Sequence, residues 1–124
     1  MIQSRSIVNV ADNSGAKIGR IFKVLGSSKK RYASIGDLVI LSVQKAEPRK
    51  AVKKKDVLVG VVVRQKAPFR RPDGSYIRFD ENAVVILEKS KKIDPIAGRV
   101  FGPIPREISE RGFQKISSLA PEIV

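Results

Sequence analysis

The sequence predicts a mainly β protein, a small closed β-barrel with short C-terminal helices. Three observations point there. Apolar and β-branched residues come in short runs of strand length, and Gly, Pro, Asp and Asn punctuate them at near-regular intervals. After Lys92 the strand pattern gives way to proline-spaced segments. A chain of 124 residues is one domain. Residues 1–92 read as the barrel with its basic loops, and residues 93–124 as an extended segment and short helices packed on it.

Ser6 to Val10 is β-rich and ends at Asp12-Asn13-Ser14-Gly15, a turn signal. Lys17 to Leu25 alternates imperfectly, with Ile18, Ile21, Phe22 and Val24 as core candidates. Gly26 to Arg31 reads as a loop. Leu38 to Val43 is an apolar run of strand length. Glu47-Pro48 stops it, because proline cannot donate to a ladder. Val57 to Val63 is a Val-rich strand. Pro72-Asp73-Gly74-Ser75 is a hairpin turn, with Tyr76 to Phe79 alternating beyond it. Asn82 to Leu87 supplies one more strand. Pro105 opens a short helix that Gly112 ends, and Phe113 to Leu119 forms a second with Phe113, Ile116 and Leu119 on one side. Phe101 and Phe113 read as core anchors. The C-terminal part has too few apolar side chains to fold alone, so it is an appendage on the barrel.

Composition narrows the chemistry. There is no Cys and no His, which removes disulfides, thiolate nucleophiles, imidazole bases and the common zinc sites. No apolar run approaches the ~20 residues of a membrane span, and Met1 to Val10 alternates without a signal-peptide core. Neither a P-loop nor a dinucleotide fingerprint is present. Asp12, Asp80 and Glu81 are the only candidates for a magnesium site, and each sits in a turn sequence, where a carboxylate caps its own backbone. No cofactor, metal or catalytic group is expected.

Charge carries the functional signal. Lys and Arg total 25 against 12 Asp and Glu, a formal net charge of +13. Residues 17–78 hold 17 basic and four acidic residues, the whole excess, while the remainder is neutral. Self-repulsion on this scale destabilises a compact chain unless a polyanion neutralises it. The cations fall in groups. Lys17, Arg20 and Lys23 lie on one strand, and Lys29-Lys30-Arg31 sit in a loop beside Tyr32. Arg49, Lys50, Lys53, Lys54 and Lys55 form a long basic tip between two strong strands. Arg64, Arg70, Arg71 and Arg78 surround a hairpin with Phe69 and Tyr76 interleaved. Lysine and arginine there neutralise phosphates and release counterions, and arginine adds a fork that fits phosphate or a base edge. Seven Phe and Tyr, several of them core candidates, are few for a single-strand stacking platform.

Several separate blocks resemble one family. They are Val10 to Gly15, Gly60 to Arg64, Arg70 to Asp80, Asn82 to Leu87, Val100 to Pro103 and Ser118 to Glu122. Together, in register from Met1 to Val124, they resemble the bacterial type of the fourteenth universal protein of the large ribosomal subunit. The resemblance implies a five-stranded barrel and a cytoplasmic structural protein bound to large-subunit ribosomal RNA, with intersubunit bridges to small-subunit RNA. It implies one bridge element within Gln44 to Lys50, including Lys45, Pro48 and Arg49, and a second involving Lys115, Ser117 and Ser118 beside a neighbouring large-subunit protein. It also implies a protein-partner surface at Arg99, Phe101 and Arg106, the region used by a ribosome-silencing factor. Ala97-Gly98 stands where the family pattern has a Gly-Thr-like pair, and Asp80-Glu81 where it has Asp-Gly. The competing readings are a free barrel-type RNA-binding regulator or chaperone, and a metal-assisted nuclease built on Asp12, Asp80 and Glu81.

Overall fold

A computed structural model describes residues 2–26, 31–50, 52–88 and 93–124. Lys29 and Lys30, expected in the RNA-binding set, lie outside these residues. In chain order the elements are β1 (Ile2–Gln3), β2 (Ile7–Val10), β3 (Ala16–Val24), β4 (Tyr32–Ala33), β5 (Leu38–Ala46), β6 (Val57–Arg64), β7 (Phe69–Arg70), β8 (Tyr76–Ile77), β9 (Ala83–Ile86), β10 (Pro103–Ile104), α1 (Glu107–Glu110), α2 (Gln114–Leu119) and β11 (Glu122–Ile123).

Five strands close into a barrel in the order β2-β3-β5-β6-β9. Each neighbouring pair is antiparallel except the closing one, where β2 runs parallel to β9 with Asn9 opposite Ala83 and Val10 opposite Val84. Closure removes the sheet's edges. So small a barrel leaves an interior that only a few side chains can fill. Leu41 occupies its middle. A Cβ placed on Gly19 would lie 2.3 Å from Leu41 Cδ1, and one on Gly60 3.0 Å from Cδ2. The two glycines, on β3 and β6, make room for that leucine. Val8, Val39, Val43, Leu58, Val62, Val84 and Ile86 complete the interior.

A second core lies outside the barrel wall. Leu38 pairs with Val61 and Val61 with Val85, a row pointing outward. The C-terminal segment covers it with Val100, Ile104, Ile108, Phe113 and Ile116. All four residues of β9 are therefore buried, which explains why its sequence is continuously apolar rather than alternating. The segment is tied down by its own parallel pair, β10 with β11, and by the bridge between Asp12 and Val100.

The structure differs from the sequence expectation at two aromatic residues. Phe22 is 48% exposed rather than in the core, because the register of β3 against β5 slips between Ile21 and Lys23 and turns its side chain outward. Phe101 is half exposed, while Phe113 is the anchor its sequence suggests.

The tight interior generates a stability prediction. Gly19→Ala overpacks the Leu41 site and costs about 1–3 kcal/mol, measured by urea unfolding. Gly98→Ala, whose added methyl group would meet nothing within 4 Å, changes stability by no more than about 0.5 kcal/mol.

Candidate nucleic-acid interface

The basic residues reach the surface by three separate routes. On β3 the spacing of Lys17, Arg20 and Lys23 is three, whereas a regular strand repeats every two residues. Register shifts after Ala16, Ile18 and Ile21 break the alternation, and all three cations end up exposed. They make no ion pair among the described residues. Lys45, opposite Ile18 on β5, is exposed beside them. Arg31 is exposed just before β4, next to the half-exposed ring of Tyr32.

The connection between β5 and β6 is not the projecting tip that its sequence suggests. It folds back as a strap over the Asp12–Gly15 turn. The amide of Glu47 donates to the carbonyl of Gly15 at 2.7 Å, and that of Val52 to the carbonyl of Ser14 at 3.3 Å. Val52 is buried in the barrel core, and the Lys50 stem lies against Gly15. Further along, the Asp56 carboxylate accepts from the Lys53 amide at 2.9 Å. Arg49 and Lys55 take positive φ angles of 67° and 73°, so the backbone turns sharply at both. The outcome is a short, anchored strap with Pro48, Arg49, Lys50, Lys53, Lys54 and Lys55 all exposed. Gln44, lower on β5, is half-buried and donates to Ser42 Oγ.

The turn beneath the strap is shaped by Asp12. Its Oδ1 accepts from the Ser14 amide and hydroxyl at 3.1 and 2.6 Å, and its Oδ2 from the Ile86 amide at 2.9 Å. One carboxylate thus caps the turn and ties the end of β2 to β9. Burial raises its pKa above the ordinary carboxylate value, partly offset by the hydrogen bonds from Ser14 and Ile86. Glu81 accepts from Asn9 Nδ2 and pairs with Arg64 at 3.4 Å. Both acids are thus engaged as turn and pairing groups. Among the described residues no cluster of Asp and Glu is arranged to hold a metal ion.

Arg64 and Arg71 differ from the exposed cations. Arg64 is buried, its guanidinium lies against Gly102, and burial lowers its pKa while Glu81 pulls it back up. It forms the floor of a groove of about 520 Å³ whose rim includes Lys17, Lys50 and Arg99. Arg71 Nη2 donates to Glu107 Oε1 at 3.1 Å and to the Val124 oxygen at 2.7 Å. Its Nε approaches Glu107 Oε2 at 2.9 Å, off the N–H axis, as an ion-pair contact. Arg71 therefore clamps the β7–β8 hairpin to α1 and the C-terminal end. Arg70 and Arg78 are left exposed on that hairpin.

The C-terminal residues expected to make contacts divide in the same way. Arg99, Phe101 and Arg106 are exposed, with the Arg99 amide held by Asn13 Oδ1 and the Phe101 amide by the Ala11 carbonyl. Lys115 is exposed and pairs with Asp94 at 3.3 Å, and Ser118 is exposed. Ser117 is buried on the inner side of α2, because α2 turns Ile116 and Ser117 toward the second core. Its side chain is thus not available for a bridge contact.

A closed barrel that exposes unpaired lysines and arginines on one strand, a strap and a hairpin is built as a structural, polyanion-binding protein. The particular family follows from comparison: the family model of ribosomal protein L14p/L23e matches residues 1–124, and the chain belongs to that family. Its members are structural proteins of the large ribosomal subunit, and this chain is a ribosomal, RNA-binding protein of the translation apparatus.

The Arg71 clamp and the Asp12 cap are both open to test. Arg71→Ala leaves the nearly buried Glu107 without its partner and loosens the hairpin, lowering stability by about 2–4 kcal/mol in denaturant unfolding. For Asp12, a raised folded-state pKa means that its stability contribution is full below the unfolded value of 3.8 and is lost as pH rises through the folded value. Asp12→Asn cannot ionise, so its deficit against the parent is smallest above the folded value and grows as pH falls towards 3.8. Unfolding midpoints of both proteins across that range check the sign.

Proposed function

We propose that the chain binds large-subunit ribosomal RNA through the cations it leaves exposed: Lys17, Arg20 and Lys23 on β3, Arg31, Arg49 to Lys55 on the strap, and Arg70 and Arg78 on the hairpin. The observation that carries this reading is that the whole charge excess lies in residues 17–78 and that, among the described residues, most of its cations point into solvent without an acidic partner. The mechanism is phosphate neutralisation with counterion release and recognition of folded RNA by shape, the barrel serving as a rigid platform. The chain works in the cytoplasm as part of the ribosome.

The strap also suits contact across the subunit interface. Gln44, Lys45, Pro48 and Arg49 approach small-subunit RNA from one side, and Lys115 with Ser118 forms a second bridge element. Arg99, Phe101 and Arg106 present a surface to neighbouring large-subunit proteins or to a ribosome-silencing factor. Half-exposed Phe101 gives that surface an apolar side chain, which supports a protein partner there.

Sedimentation through sucrose gradients at low and high salt tests the placement. Co-migration with the large subunit at salt that strips loosely held factors is expected; recovery at the top of the gradient contradicts it. Replacing Arg49, Lys50, Lys53, Lys54 and Lys55 with Gln removes five phosphate partners and weakens subunit association more than tenfold at moderate salt. Unchanged association in a salt titration argues against the bridge role.

A further inference from the structure

We propose that Tyr76, at the exposed side of the β7–β8 hairpin, is a stacking platform for one unpaired base of the bound RNA. The proposal deepens the RNA-binding reading and rests on it. Tyr76 is 65% exposed, more than any other large apolar side chain among the described residues. Exposure of one ring alone would mean little; what marks this one is its grouping with exposed Arg70 and Arg78 on the same hairpin.

The register places cations around it. Arg70 pairs directly with Tyr76, so the two side chains share one side of the hairpin, while Phe69 and Ile77 form the other pair. Phe69 packs on the second core, which turns the Arg70–Tyr76 side outward. Tyr76, Ile77 and Arg78 join Pro68 in lining an open cleft of about 390 Å³. A base seated there meets the flat phenol ring and the proline, with Arg78 on the cleft and Arg70 across the hairpin from Tyr76 to take its flanking phosphates. Arg70 and Arg78 have no acidic partner among the described residues, and two free cations beside the ring fit a polyanion better than a basic protein surface.

The platform is set before binding. The Asp73 carboxylate accepts from the Ser75 amide and hydroxyl at 3.0 and 2.6 Å, and hydrogen bonds from Ser75 also hold its pKa below the ordinary value. The Arg71 amide donates to the Ser75 carbonyl, and the Gly74 amide to that of Arg71. The Arg71 side chain holds the whole hairpin on Glu107 and Val124. Little conformational freedom remains to be lost when a base stacks, so the contact adds to affinity and fixes position.

The test uses ribosomes in which the wild-type protein is replaced by Tyr76→Ala or Tyr76→Phe. Large subunits are purified, occupancy of the protein is matched, and ribosomal RNA is probed for base and ribose reactivity. With Tyr76→Ala, a short single-stranded stretch gains reactivity by about fivefold or more, and Tyr76→Phe keeps it protected. Equal reactivity in all three at equal occupancy overturns the stacking site. So does a change confined to protein–protein cross-links, which assigns the ring to a protein neighbour. If subunits lacking the chain show no newly reactive RNA against wild type, RNA binding itself fails rather than Tyr76. Because the ring is exposed, matching unfolding midpoints confirm that both variants fold.

Discussion

Barrel closure is the constraint on which the rest of the molecule depends. Five strands curl tightly enough to leave an interior for little more than a row of aliphatic side chains, and Leu41 fits there only because Gly19 and Gly60 present no Cβ. The seam is the parallel pair of β2 with β9, short at two residue pairs, and Asp12 extends it by accepting the Ile86 amide where the ladder ends. That carboxylate is buried, and burial raises its pKa by penalising the charged form. Its three accepted hydrogen bonds are what hold turn, β2 and β9 in one geometry.

From closure follows the division of the surface. The outer wall at β6 and β9 is apolar and must be covered, and the C-terminal segment covers it. The wall at β3 and its connections is left free to carry charge. The ion pair of Arg71 with Glu107 fastens a basic hairpin to the segment that covers the second core, and that of Arg111 with Asp37 ties the same segment to the barrel just before β5. Rigidity matters for a protein that recognises folded RNA by shape: cations on an anchored strap and a clamped hairpin keep their spacing, whereas on loose loops they would supply attraction without position.

Much of this was legible in the residues. Strand-length apolar runs with Gly and Pro between them located the barrel strands to within about a residue, except that β5 runs on past its apolar stretch from Val43 to Ala46. The valine runs of β6 and β9 carry the mark of strands buried on both sides. The Asp12-Asn13-Ser14-Gly15 turn was readable as a cap, but not its reach to Ile86, because that partner is distant in sequence. The same reason hid the clamp at Arg71, which looks like any exposed arginine until Glu107 is brought to it. Slips in register turned Phe22 outward and made a three-residue spacing of cations face one way, which no periodicity rule anticipates. Val52 was a missed signal: one aliphatic residue within a lysine-rich run is a sign that the run is pinned down. Arg5, exposed with a φ of 73°, is a cation that the basic groups left out.

The most direct test compares lysine acylation, read by mass spectrometry, in the isolated protein and in purified large subunits. Phosphate contact by the β3 and strap cations predicts that Lys17, Lys23, Lys54 and Lys55 react freely in the isolated protein and lose that reactivity in the subunit, while Lys115 stays reactive in both. Equal reactivity of those four lysines in the two states, or protection confined to Lys115, would contradict a protein held on RNA by its exposed basic elements.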